Sequence, residues 1–328
     1  MKIFISIASY QDPLLETTIL SAFNNAIAPE NLHFGICDQS SKPLDISLFS
    51  FASQISYEHI DPKTSEGPCW ARHRIQNFYE NEDYYFQIDS HMQFENGWDE
   101  YLLKYMIKIQ SDQSEFHKLP IISSYPRAFD VIDFDKKIFK LLDDDKKTHT
   151  IAYREDSIFL KDSFSRQIGA ISETEITHGY LLAAGCLLAP GSFVKEVPYD
   201  SEFYFYGEEI SIMLRAFTRG FSIFHIPAVP VFHLYTDVSD IKRKLHWDEE
   251  EDKKREIKWH ERERKSIERL SQIIDGKLDG IFGLGNKRSL EDYEFLSGIN
   301  FKKRSITNKS KAVTAEFISS LSWKESPF

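Results

Sequence analysis

Three groups of residues in this chain have types and spacings suited to chemistry. Asp89 and His91 flank Ser90 at the end of the apolar run YYFQIDSH. His233 closes a second apolar stretch, VPVFHLY, far downstream. Glu208 and Glu209 follow Gly207 and open a segment rich in apolar residues. Carboxylate and imidazole are both ligands for a divalent ion such as Mn²⁺. Residues i and i+2 of a strand point to the same side, so Asp89 and His91 can face one ion. His233, from a distant strand, offers a third ligand and leaves the remaining positions to phosphate oxygens and water. An ion held this way neutralises the negative charge of a departing nucleoside diphosphate. The plainer alternative is a turn-capping acid beside a surface histidine, with His233 an ordinary core or surface residue. For Glu208 and Glu209, one reading is two acids complementing a helix N-terminus. The other is an acid that accepts a hydrogen bond from an incoming hydroxyl or holds a sugar, beside the aromatic stretch PYDSEFYFYG.

These residues need elements to position them. KIFISIASY reads as a first buried strand, and Leu14 to Ala28 has helical spacing between Pro13 and Pro29. LHFGICDQS reads as a second strand and ISYEHID as a third. Gly67-Pro68 opens the helix CWARHRIQNFYEN, and DYYFQID is a fourth strand. This alternation predicts a mostly parallel, doubly wound sheet over the first hundred residues. Ligands of such sheets bind at the carboxyl ends of the strands. Three polar clusters fall there: Ser9 to Asp12, Asp38 to Ser40, and Asp89 to His91.

Further on, LPIISSYP reads as a buried strand and residues 130–150 as a β-ribbon with an acidic and basic loop. HGYLLAAGCLLAPGSF reads as a strand pair, or a strand and turn, lining a cleft. A helix runs from about Glu208 to Gly220. FSIFHIPAVPVFHLY is a strand region interrupted by Pro227 and Pro230. Leu245 to Ile274 reads as one long charged helix, either a solvated face with ion pairs or a docking surface. Lys242, Arg243 and Lys244 form a basic cluster after His233, either a lid over a diphosphate or plain surface. GLGNKRSLEDYEFLSGI carries turn and cap signals.

Composition narrows the class of protein. The 328 residues include 41% hydrophobic and 14% aromatic positions, with 26 Phe and 15 Tyr, so a large core is available. The formal charge of -11 argues against a general nucleic-acid partner, which needs clustered Lys and Arg. Cys37, Cys69 and Cys186 form no CxxC pair, which fits a reducing compartment. The N-terminus lacks a cleavage-site pattern. The apolar run at 180–190 is far below the roughly 18 residues of a membrane span. The expectation is a cytoplasmic protein without a transmembrane segment.

ASYQDP, ICDQS, GPCWAR, QIDSHMQF with Trp98-Asp99, AAGCLLAP, VPYD, FYGEE, RAFTRGF, FHLY and LGNKRSLEDYEFLSGI occur in this order between Ile3 and about Phe301. As an ordered set they resemble the polypeptide α-N-acetylglucosaminyltransferases, cytoplasmic enzymes that modify hydroxyproline, and their bacterial relatives. The Asp-Ser-His triplet with a late histidine is also similar to that of the mucin-type GalNAc transferases. The resemblance implies an α/β GT-A fold, a Rossmann-like mixed and mostly parallel sheet with helices on both faces and a C-terminal helical extension. It implies a UDP-sugar donor, with GlcNAc first among the sugars, a divalent metal (Mn²⁺ or Mg²⁺), and retention of configuration. Asp89, His91 and His233 would be the metal ligands. Ser9, Tyr10, Asp12 and Gln39 would hold the uridine. Arg72 would contact the nucleotide, unless it is a solvated helix residue. Gly185 would let backbone approach the donor sugar, unless it serves packing alone. Trp98-Asp99 would shape the acceptor side, or be a buried Trp beside a capping Asp. Residues 130–165, rich in Lys and Asp, depart from the family, so the acceptor is a hydroxyl of a protein or a glycan. The expected organisation is a catalytic domain over 1–240, with a nucleotide-binding half at 1–100 and an acceptor and donor-sugar half at 101–240. Residues 241–328 would form a helical extension packed on it.

Overall fold

The computed structural model describes residues 1–112, 114–142, 146–153, 167–172, 175–235 and 243–308. The first half alternates as the apolar runs require: β1 (Ile3–Tyr10), α1 (Leu15–Asn24), β2 (Leu32–Gln39), β3 (Ile55–His59), α2 (Pro68–Ile75), β4 (Tyr84–Ile88), β5 (Met92–Phe94) and α3 (Trp98–Gln110). There follow β6 (Pro120–Ser123), the hairpin β7 (Arg127–Asp133) and β8 (Ile138–Leu141), and the paired strands β9 (Thr148–Tyr153) and β10 (Gln167–Ser172). The second half holds β11 (Thr177–Gly179), β12 (Cys186–Pro190), α4 (Phe193–Glu196), α5 (Glu208–Thr218), β13 (Ser222–His225) and β14 (Val231–His233). The last described elements are α6 (Glu249–Asp252), α7 (Trp259–Ile274), α8 (Leu290–Ser297) and the short pair β15 (Ile299–Asn300) and β16 (Ser305–Ile306).

Eight strands form the main sheet in the order β11-β13-β6-β12-β4-β1-β2-β3. The pairs β2–β3, β1–β2, β1–β4 and β6–β13 are parallel, and β12 runs antiparallel between β4 and β6. Strands β1, β2 and β4 are buried nearly end to end, as strands covered on both faces must be, whereas the edge strand β3 is only half-buried. A second sheet, β5-β14-β7-β8, stands at the carboxyl end of β4. Its pairing of Met92 with His233 brings two distant parts of the chain side by side. All three cysteines are free and buried. Among the described residues, no helix is long and apolar enough to cross a membrane.

Two local expectations are corrected, the first and third below, and the second decides between two alternatives. First, α1 ends at Asn24 rather than Ala28. The Asp99 carboxylate takes the N–H groups of Ile27 and Ala28 at 2.8 and 2.9 Å and pulls this segment off the helix. Second, Trp98 and Asp99 are both buried, and Trp98 Nε1 donates to the Ala22 carbonyl. They join α1 to α3 and line neither cavity described below. Third, Leu245 to Ile274 is not one helix but two, broken between Lys253 and Lys258. Arg255 turns inward at the break, donating to the His246 carbonyl and to the Tyr10 hydroxyl. These tertiary bonds outweigh local helix propensity, which is a weak term. The cap signals near the end are borne out: Ser289 and Asp292 form a capping box on α8, and Gly298 closes it with φ 75°.

Candidate active site

The carboxyl ends of β1, β2 and β4 open onto two adjoining cavities. The first is about 350 Å³, lined by Arg72, Asp89, Tyr125, Glu208, Glu209 and His233 among others. The second is about 280 Å³ and includes Tyr10, Asp12, Gln39, His91, Arg243 and His246. Asp89 and Phe205 belong to both walls.

Asp89, His91 and His233 offer one carboxylate oxygen and two ring nitrogens, all within 4.8 Å of one another. Their meeting has a local cause. β4 ends at Ile88, residues 89–91 form the turn into β5, and β5 pairs with β14 so that the Leu234 N–H donates to the His91 carbonyl at 3.1 Å. His91 Nε2 lies 3.0 Å from His233 Nε2, and His233 Nε2 lies 3.3 Å from Asp89 Oδ2. Burial opposes ionisation of Asp89, but the His233 hydrogen bond and the Arg72 charge outweigh it and hold the carboxyl below its usual range. Burial pulls His233 below the ordinary imidazole range. A carboxylate facing two imidazole nitrogens is the donor set of a divalent cation of the Mn²⁺ type, so these residues fit such an ion.

Gly185 sits against this group. A Cβ on it would lie 2.3 Å from Asp89 Oδ2, so the missing side chain makes room for the carboxylate. Its carbonyl also accepts the Asp89 N–H at 3.3 Å. Arg72, on α2, is buried rather than solvated. Its Nη2 donates to Asp89 Oδ1 at 3.0 Å, and its Nη1 pairs with Glu208 Oε1.

The two glutamates differ. Glu208 is tied down by Arg72 and by the Tyr199 hydroxyl at 2.7 Å. Glu209 opens onto the first cavity, where its Oε1 accepts the Ala184 N–H at 2.9 Å and its Oε2 accepts from Gln167 Nε2. Burial pushes its carboxyl up to about 7, and the charges of Glu208 and Asp89 add to this while the Ala184 bond opposes it. A carboxyl in that range exchanges protons near neutrality.

Around the second cavity, Gln39 Nε2 donates to the Ser9 carbonyl at 2.9 Å, and the Ser65 hydroxyl donates to Gln39 Oε1. Ser9 is fully buried and lines neither cavity. The Tyr10 hydroxyl donates to Glu251 at 2.9 Å, and burial pushes it up to about 12. Asp12 turns toward His91: its Oδ2 is 2.6 Å from His91 Nδ1 and 2.8 Å from the Ser90 hydroxyl. Lys242 lies outside the described residues, whereas Arg243 and Lys244 do line this cavity. Phe205 and Tyr206 of the aromatic stretch line the first cavity, while Phe203 and Tyr204 are buried.

Sequence reasoning missed Tyr125, Gln167 and Tyr235 in the first cavity and His246 and Trp247 in the second. The His-Trp pair was hidden inside what reads as a solvated helix. Tyr204 and Ser65 bond the two nitrogens of His246, and burial takes that ring down to about 3. Trp247 packs against Phe205 with ring centres 5.0 Å apart.

A model of the family described as "Glycosyltransferase (GlcNAc)" matches residues 2–50 and 41–303. No curated protein matches the chain. Among solved structures, GalNAc-T7 with UDP, GalNAc and Mn²⁺ is similar at a TM-score of 0.54 and 14% identity, covering 72% of this chain and 43% of that one. This chain therefore spans less than half of GalNAc-T7. TarS of S. aureus (residues 1–349) is similar at a TM-score of 0.43 and 12% identity, covering 68% of this chain and 58% of that one. The mixed, mostly parallel sheet is that of the GT-A architecture.

Proposed function

This chain belongs to the glycosyltransferase (GlcNAc) family, and we propose that it moves a sugar from a UDP-sugar to a hydroxyl of a protein or glycan, with GlcNAc the first sugar to test. The observation that carries this reading is the position of Asp89. It stands in the wall shared by two cavities, with His91 facing one and His233 the other. Asp89, His91 and His233 would hold Mn²⁺ or Mg²⁺, which stabilises the charge on the departing diphosphate. GalNAc-T7, on the same fold, carries UDP, GalNAc and Mn²⁺, in agreement with this assignment.

The second cavity takes the nucleotide. Tyr10 and Gln39 stand at its strand-end wall, Ser9 braces Gln39 from behind, and Arg243 and Lys244 supply positive charge. The first cavity takes the sugar and the acceptor hydroxyl. Arg72 holds Asp89 and Glu208 in place, and Gly185 keeps the space for Asp89 open. Glu209 is the acid that meets a sugar or acceptor hydroxyl. The transfer proceeds with retention: the acceptor oxygen bonds the anomeric carbon from the face UDP leaves, and a phosphate oxygen takes the hydroxyl proton. Residues 1–240 act as the catalytic domain, its nucleotide half at 1–100 and its sugar half at 101–240, with the described residues 243–308 packed on it. Arg243 to Trp247, at the start of that last part, lend side chains to the nucleotide cavity.

One observation favours a second reading. A half-buried Glu209 raised to about 7 is suited to act as a base, as in an inverting transferase. UDP release from UDP-GlcNAc and other UDP-sugars, with Mn²⁺, Mg²⁺ or a chelator, tests the proposal. Metal-dependent release supports it, and an α-linked product by NMR supports retention over inversion. A folded protein that releases no UDP from any donor would instead be a nucleotide-sugar-binding protein.

A further inference from the structure

Asp12 stands just ahead of α1, with each carboxylate oxygen differently engaged. Its Oδ1 accepts the Leu14 N–H at 2.9 Å and closes the turn that leads into the helix. Its Oδ2 accepts the Ser90 hydroxyl at 2.8 Å and lies 2.6 Å from His91 Nδ1. The carboxylate is buried, at 4% side-chain exposure. An ionised carboxylate has only acceptors, so the proton in the contact with His91 belongs to Nδ1. A neutral imidazole with its proton on Nδ1 carries its lone pair on Nε2. Nε2 is the atom turned toward His233.

A second contact from the same helix holds the backbone on both sides of His91. The Thr18 hydroxyl donates to the Ser90 carbonyl at 2.8 Å and accepts the Met92 N–H at 2.9 Å. His233 is different, because its Nδ1 is buried without a hydrogen-bond partner among the described residues. Only one of the two histidines therefore has its orientation fixed from behind.

We propose that Asp12 is a positioning residue that locks His91 as the Nδ1–H tautomer and so presents Nε2 to a divalent cation. This rests on the reading of Asp89, His91 and His233 as a cation site. Outer partners of this kind tune metal affinity by about 10–100-fold.

The test uses the metal-free full-length protein, its imidazole ¹⁵N shifts by NMR, and Mn²⁺ titration followed by EPR without nucleotide. In the wild type, His91 is expected to show protonated Nδ1 and bare Nε2. In Asp12→Asn, the new amide can donate to Nδ1, so the tautomer should shift toward Nε2–H and Mn²⁺ affinity should fall by about 10–100-fold. Asn still caps a helix start, so the fold is expected to survive. Thr18→Val loosens the same peptide without touching the ring, and its His91 should remain Nδ1–H. An Nε2–H signal in the wild type, or Mn²⁺ binding in Asp12→Asn equal to wild type, overturns the proposal. A shift in Thr18→Val equal to that in Asp12→Asn also overturns it, by making the effect a general loosening. Wild-type protein that binds no Mn²⁺ overturns the cation reading on which the proposal stands, whatever the tautomer.

Discussion

Gly185 and Asp89 compete for one volume: a methyl group on Gly185 would come within 2.3 Å of Asp89 Oδ2. The atom it meets is the free end of a side chain, so the fold can yield by swinging the carboxylate away. Gly185→Ala is therefore expected to keep its melting temperature within a few degrees while metal-dependent UDP binding and turnover fall by about 100-fold or more. Calorimetric UDP titration in Mn²⁺ checks this, and unchanged affinity would show that Asp89 need not stay where it is.

The difference between Glu208 and Glu209 gives a second prediction. Glu208 is locked between Arg72 and Tyr199, so Arg72→Ala leaves a buried carboxylate unpaired. Such a loss is expected to cost about 3–5 kcal/mol, measured by urea denaturation. Glu209→Gln should leave stability at pH 5 unchanged and remove most turnover. Equal turnover in Glu209→Gln and the wild type would take Glu209 out of the chemistry.

Glu209 also sets a pH dependence. Its carboxyl is raised to about 7 by burial, above its ordinary value. The folded state then binds a proton that the unfolded chain has already released, so its contribution to stability is fully present at low pH and is lost as pH rises through about 7. Glu209→Gln is expected to melt higher than wild type at pH 8 and at the same temperature at pH 5. If the ionised form meets the hydroxyl, wild-type turnover rises between pH 6 and 8, and Glu209→Gln loses that limb. A wild-type rate flat across this range would contradict the assignment.

Trp247 and Phe205 pack with their rings tilted by 57°, Phe205 lining both cavities and Trp247 the second. Aromatic pairs of this kind contribute about 0.5–1.5 kcal/mol beyond area burial. Trp247→Ala is expected to raise the KM for UDP-sugar by roughly 3–10-fold with a smaller change in kcat. A pure kcat loss would place the ring at the reacting atoms instead.

Much of this arrangement was legible in the sequence because β1, β2 and β4 are dense apolar runs that end abruptly in polar clusters. The cap residues of α5 and α8 were equally readable. What could not be read depended on contacts across large sequence distances. The partnership of Asp12 with His91 joins residues 79 apart, so Asp12 reads as a strand-end acid and, from the resemblance, as a uridine contact, but not as a partner of His91. Gly185 reads as room for a ligand, whereas the room is taken by Asp89. Lys253 to Lys258 keeps helical charge spacing, but Arg255 is drawn inward to Tyr10 and breaks the helix there. His246 and Trp247 are carried to the second cavity by that same fold-back.

The central claim is that Asp89, His91 and His233 together hold one cation between the two cavities. Anomalous diffraction at the manganese edge, from crystals soaked with Mn²⁺ and UDP, addresses it most directly. A single peak is expected about 2 Å from an Asp89 oxygen, His91 Nε2 and His233 Nε2, with diphosphate oxygens on its open side. A peak elsewhere in the protein, or full diphosphate density with no peak among these three side chains, would contradict it.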